Sequence, residues 1–202
     1  MCWTGINILN RDAGRRILDL RADWPAENIV LALLCERPMH GYELAQQVRS
    51  DSALRAIWRI ELSEVYFLLR KLLRQGSIVE RGEAQGAGPR RVVYAPTSEG
   101  RAALDAWLAH PEKLPRNLRT ALLARIYLAL RRDPALAVEL VDAQKDLLAH
   151  WLDREQDIAY DDEVVTLIHR FRAAQVEAAL AALDELRRLA LARVHRRQES
   201  EA

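Results

Sequence analysis

The run "LSEVYFLLRKLLRQGSIVERGEAQGAGPRRVVYAP", Leu62 to Pro96, restricts what this chain can fold into more than any other segment. In its first part Val65, Leu68, Leu69, Leu72 and Leu73 fall at i, i+3, i+4, i+7 and i+8, which predicts a helix with one core-facing stripe. Ser63 reads as its N-cap, Leu62 and Phe67 as the two halves of a hydrophobic staple, and Gly76 as the stop. "SIVERGEA" and "RRVVYAP" follow as two β-prone runs around a glycine-rich tip, so a hairpin follows the helix. The tip is not a phosphate loop. Gly88 is followed by Pro89, two arginines and a strand, where such a loop needs Gly-Lys-Ser/Thr or a helix directly after its glycines.

The flanking segments complete an architecture. A helix is predicted from Ala26 to Cys35, with Pro25 in its first turn and Pro38 ending it. "HGYELAQQVRS" reads as a second helix with Tyr42, Leu44, Ala45 and Val48 available for packing, and a loop follows Ser50. "TSEGRAALDAWL" opens another helix after the hairpin. Three helices, a two-stranded hairpin and a fourth helix make a winged helix-turn-helix over residues 24–110, with residues 62–76 as the helix that enters a major groove.

From Pro115 the chain is almost all helix former, and residues 116–202 are expected to form an antiparallel helical domain, making the fold mostly α. Asp133-Pro134 opens one helix and Asp161-Asp162-Glu163 the next. In the last helix Val164, Leu167, Ile168, Phe171, Leu180 and Leu183 present more apolar surface than a two-helix hairpin can hide. A second copy of the chain is the expected cover, giving a homodimer.

Charge narrows the function classes. The 30 basic and 29 acidic residues leave a net charge of +1, so affinity for nucleic acid or membrane must be local. Between Tyr66 and Arg91 the six basic residues Arg70, Lys71, Arg74, Arg81, Arg90 and Arg91 face only Glu80 and Glu83. Tyr66, Arg70 and Arg74 recur every four residues opposite the core stripe, with Phe67 and Lys71 beside them. Arg90 and Arg91 are successive strand residues and so point to opposite faces, one toward a DNA backbone or minor groove. Cys2 and Cys35 make no disulfide framework or metal spacing. No signal-like or membrane-spanning apolar run occurs, so a cytoplasmic protein is expected, with no membrane partner.

Four segments in order, "ALLCERPMHGYELAQQV", "LSEVYFLLRKLLRQGSIV", "GPRRVVYAPTSEGRAAL" and a helical tail, resemble the PadR family of transcriptional regulators, specifically the subgroup with a long helical C-terminal domain. The resemblance covers about Ala26 to Leu108 tightly and the tail loosely. It implies a homodimer that binds an inverted-repeat operator in double-stranded DNA and represses transcription until a small molecule or signal releases it. The DNA-contacting set it implies comprises Tyr42, Ser63, Glu64, Tyr66, Phe67, Arg70, Lys71, Arg74, Arg90 and Arg91. Two positions depart from the family pattern. Phe67 stands where many members have proline, and Glu64 where a small hydroxyl residue is common. Glu64 suits the positive end of the helix dipole and could also accept from a cytosine amino group. Residues 1–23 have no family counterpart and read as an arm or an overlong gene start.

Other readings follow from other residues. Asp142, Asp146 and His150, spaced by four, share a helix face that could hold a divalent metal, although an enzyme site would need ligands from another helix. His40 suits a helix start or packing better than a metal. No catalytic triad and no cofactor motif is recognisable. A winged-helix adaptor that binds protein would lack the basic face, which is present here. Trp107 and Trp151 could stack a small aromatic effector near the dimer interface, or simply pack in the core.

Overall fold

The structure, a computed structural model, describes residues 25–84, 91–113, 117–156 and 161–201. Its first helix, α1 (Pro25–Glu36), is apolar nearly all round, and Ile29 through Leu34 are buried without a break. Such a helix belongs at the centre of a core. It packs against the helix formed by residues 62–74, the sheet and two later helices. Strand β1 (Met39–His40) leads into α2 (Gly41–Ser50), whose start is fixed by His40 Nδ1 accepting from the Glu43 N–H at 3.1 Å. His40 is thus an N-cap, the helix-start role expected for it.

The segment after Ser50, expected to be a loop, is a short helix, α3 (Ser52–Ile57). Asp51 creates it: one carboxylate oxygen accepts from the N–H groups of Ala53 and Leu54, both at 3.0 Å, satisfying donors that would otherwise be orphaned. Helix α4 (Leu62–Arg74) follows, with Val65, Leu68, Leu69 and Leu72 buried as the stripe predicts and Leu73 half-buried. Its N-cap is Glu61 rather than Ser63, and no side chain caps it. This two-residue correction moves the staple positions to Ile60 and Val65, both buried, and leaves Phe67 53% exposed. Gly76, at φ 71°, ends the helix as expected.

Strands β2 (Ile78–Ala84) and β3 (Arg91–Pro96) form the expected hairpin, but the sheet has three strands. β1 adds to the other edge of β3, with Met39 opposite Tyr94 and His40 opposite Val93. Helix α5 (Ser98–Ala109) is capped by Thr97, whose hydroxyl accepts from the Gly100 N–H at 3.0 Å and donates to the Gly76 carbonyl at 2.7 Å. Gly100 has no alternative here: a Cβ built on it would lie 2.0 Å from the Ser77 carbonyl oxygen. The "TSEG" signature is therefore the joint where α5 closes on the turn after α4.

A π-helical turn at Leu118–Leu122 feeds α6 (Leu123–Arg132), followed by α7 (Pro134–Gln156) and α8 (Glu163–Glu201). Helix α6 is buried over most of its length because it packs on α1, α3 and α5 as well as on α7. Two polar networks hold the helical layer to the rest. In one, Arg131 clasps Glu36 of α1 through bonds of 2.8 and 2.6 Å and reaches Asp51 at 2.7 Å, while Tyr127 donates to the same Asp51 oxygen. In the other, fully buried Gln144 of α7 binds one residue of the segment after α5: its Oε1 accepts from the Glu112 N–H at 2.6 Å and its Nε2 donates to the Glu112 carbonyl at 3.0 Å. Arg125 donates to the His110 carbonyl nearby.

Helices α7 and α8 pair extensively, cross-linked by Arg187–Asp142 and Lys145–Asp184. Leu183 is buried and Leu180 half-buried in this pairing, so those two are covered within one chain rather than awaiting a partner as expected. Val164, Leu167, Ile168 and Phe171 are not, at 51–67% exposure. With 39 residues α8 runs roughly 58 Å at 1.5 Å per residue, well beyond the reach of α7 with 23. Among the described residues no helix is long and apolar enough to cross a membrane.

Candidate nucleic-acid interface

Helix α4 divides cleanly into two faces. The buried leucines hold it on α1 and α2, while Tyr66, Phe67, Arg70 and Arg74 point outward into solvent. Neither Arg70 nor Arg74 has a carboxylate partner among the described residues. Tyr42, on α2, is exposed beside them rather than packed in the core, with its ring 6.4 Å from that of His40.

Tyr66 is positioned by a glycine. A Cβ at Gly41 would come within 2.7 Å of Tyr66 Cε1 and 3.1 Å of Leu69 Cδ1, so the ring lies directly on the first residue of α2. That contact explains the Gly-Tyr pair of "HGYE" on one element and the tyrosine of "EVYF" on another. Tyr94 of β3 closes the patch. Burial pushes its hydroxyl above the usual range, as do neighbouring Glu80 and Tyr66, while Arg70 opposes the shift. The helix and the hairpin thus share one continuous polar and aromatic surface.

Other expected contact residues are placed differently. Lys71 turns back to Glu27 of α1 and forms a half-buried ion pair, with Gln75 reaching the second oxygen of Glu27 at 3.4 Å. Its charge serves to tie α4 to α1. Ser63 is exposed, and Glu64, half-buried, occupies the third helical position instead of the first because the helix starts at Leu62. Arg81 is exposed on β2. Arg90 and the side chain of Arg91 lie outside the described residues.

The two tryptophans do not meet in a pocket. Arg125 stacks over Trp107 at 4.6 Å and Arg172 over Trp151 at 5.4 Å, so each ring already has a cation on its face. A cavity of about 510 Å³ lies elsewhere, between α1, α5 and α6. Ala32, Leu104, Leu108 and Leu128 give it an apolar floor, and Arg101, which has no carboxylate partner among the described residues, stands at its rim. Burial pushes the thiol of Cys35, also in its wall, above the usual range. Asp142 of the proposed metal face is held by Arg187 at 2.6 and 3.1 Å, and no group of three or more His, Cys, Asp or Glu able to hold a metal occurs among the described residues.

Sequence reading missed Arg49, Arg55 and Arg59, which the α2–α3 corner brings to the start of α4. Each stands alone among apolar and small residues, so no charge run announces them.

A helix-turn-helix whose outward helix is flanked by an antiparallel hairpin defines a winged helix-turn-helix protein. Residues 30–106 match the transcriptional regulator PadR-like family. The probable transcriptional regulator Rv1176c of Mycobacterium tuberculosis is 33% identical over 82 residues, covering 41% of this chain and 42% of the relative. The negative transcriptional regulator PadR of Bacillus subtilis is 26% identical over 98 residues, covering 48% and 53%. The chain spans about half the length of the curated relatives it matches. Among solved structures, Bacillus subtilis PadR in complex with operator DNA aligns over 82% of this chain and 98% of its own, at 19% identity and a TM-score of 0.42.

Proposed function

We propose that this protein is a dimeric, sequence-specific DNA-binding transcriptional regulator that acts as a repressor, with α4 as the helix entering the major groove. The observation that carries the reading is the division of α4, which has one face buried and the other bearing Tyr66, Arg70 and Arg74, with neither guanidinium group bound to a carboxylate among the described residues. Arginine in a groove can donate two bonds to one guanine edge, and a tyrosine can stack or position the backbone. Arg90 and Arg91 of the wing are proposed to add phosphate contacts. The proposed dimer seats Val164, Leu167, Ile168 and Phe171 of one copy against the other, since their spacing makes one exposed stripe over the first turns of α8.

The cavity between α1, α5 and α6 is the proposed effector site, in place of Trp107 and Trp151. Its apolar floor and Arg101, which has no carboxylate partner among the described residues, suit a small amphipathic anion. The reading is tested by fluorescence anisotropy on the duplex upstream of the protein's own gene and on a scrambled duplex of equal length. Tighter binding to the first by at least an order of magnitude supports it. Equal affinity for both would favour the protein-binding adaptor, to which the exposed rings of Tyr42 and Phe67 also lend themselves.

A further inference from the structure

The corner formed by the end of α2, by α3 and by the turn into α4 is an open groove. Arg49, Ser52, Arg55, Trp58 and Arg59 line it, with Ile60 and Glu61 at the end next to α4. Three guanidinium groups enter it, and one is already committed: Arg49 Nη2 holds Glu61 Oε2 at 3.3 Å. Arg55 and Arg59 are exposed and, among the described residues, have no carboxylate partner. Glu61 gives its carboxylate to Arg49 and does not cap α4 with its side chain; the Glu64 N–H turns to the Glu61 carbonyl at 3.1 Å, which leaves the N–H groups of Leu62 and Ser63 beside the groove with no side-chain cap. The helix dipole adds positive potential at the same point.

We propose that this groove seats a sugar-phosphate strand of the duplex whose major groove α4 enters, with Arg55 and Arg59 as phosphate-contacting residues. The inference rests on the DNA-binding reading above. Three features select this occupant. The site is open along one side, which suits a strand passing through rather than an enclosed small molecule. Its unpaired groups are guanidinium forks and backbone N–H donors, the pairing phosphate oxygens accept best. Its position also fits. From Leu62 to Arg74 the helix rises roughly 18 Å, and a B-form major groove is about 12 Å wide, so cations at the two ends of α4 stand on opposite phosphate rims. Arg55 and Arg59 hold one rim and Arg74 the other, which fixes the depth and tilt of the helix.

The test uses the full-length protein with Arg55→Gln and Arg59→Gln, read by anisotropy across a salt series on the operator duplex and on a scrambled one. Each substitution should weaken both duplexes in parallel and shrink the slope of log affinity against log salt by about 0.9 for each protomer bound. Arg55→Lys and Arg59→Lys keep the charge and should keep the slope, which a merely structural role would not predict. Thermal melting should be unchanged in all four variants. Wild-type binding to the operator with unaltered affinity and slope in the Gln variants would overturn the groove assignment alone. Absence of duplex binding by the wild type would overturn it together with the DNA-binding reading. Retained duplex binding with loss of a poly-glutamate probe in the Gln variants would assign the groove to an acidic protein instead, against the proposal.

Discussion

The hydroxyl of Tyr127 donates a 2.7 Å hydrogen bond to Asp51 Oδ2, joining residues 76 positions apart in the chain. The other oxygen of the same carboxylate caps α3, so one side chain both starts a helix of the winged-helix half and receives the helical layer. Burial raises the Tyr127 hydroxyl above its usual range, and the bond to Asp51 adds to this. Asp51→Asn keeps an oxygen for the cap but drops the charge that Arg131 and Tyr127 share. A double-mutant cycle of Asp51→Asn with Tyr127→Phe, measured by urea unfolding, should give a coupling of about 0.5–3 kcal/mol. Additive effects would mean the two layers are joined elsewhere. Asp51→Ala should cost more than Asp51→Asn, since it also removes a cap worth about 0.5–2 kcal/mol.

Gly41→Ala tests how Tyr66 is held. The added methyl meets the partly exposed ring at 2.7 Å and buried Leu69 Cδ1 at 3.1 Å, so both neighbours must shift. Stability should fall as Leu69 gives way, and operator affinity should fall further than the lost stability explains, because the tyrosine is displaced on the α4 face. Anisotropy together with a melting curve separates the two effects. Unchanged affinity would remove Tyr66 from the interface.

The two faces of α4 should respond to truncation in opposite ways. Arg70→Ala is expected to cost roughly 1–3 kcal/mol of operator binding with an unchanged melting temperature. Leu72, 2% exposed, should cost about 2–5 kcal/mol of folding stability when cut to Ala. Equal effects on stability would contradict the division seen in the structure.

Ile168→Glu or Phe171→Glu should convert a dimer to a monomer in sedimentation at micromolar concentration, since a charge is placed in the centre of the exposed α8 stripe. Far-UV circular dichroism should stay the same, because more than half of each side chain is exposed in its own chain. A dimer that survives both changes would place the interface elsewhere.

Residues 62–96 were legible in the sequence because their signals are local and redundant: an amphipathic stripe, a stop glycine, and two β-prone runs around a flexible tip. The elements that escaped reading are short. SALRAI, six residues, is too brief to show helical periodicity, and β1, with two, exists only because β3 offers an edge. Ser63 was a better N-cap by residue type than Glu61, yet burial of Ile60 and Val65 starts the helix two residues earlier, and tertiary packing overrides the preference. The fate of Lys71 could not be read at all. Its partner Glu27 is 44 positions away, and nothing in either segment marks the pairing. Trp107 and Trp151 drew notice as aromatic surfaces, but the arginines that cover them come from α6 and α8.

The grip of Gln144 on Glu112 shows how shape similarity and tolerance can part company. A side-chain amide offers donor and acceptor from one carbon, which is what a single residue's carbonyl and N–H require together. Glutamate differs from glutamine by one atom and fills the same volume. In place of the Nε2 donor it would set an oxygen against the Glu112 carbonyl, in a site with no exposed surface and beside a second carboxylate. The exchange that is gentlest by size is therefore among the harshest here, and the segment between α5 and the helical layer is secured by the identity of one nitrogen.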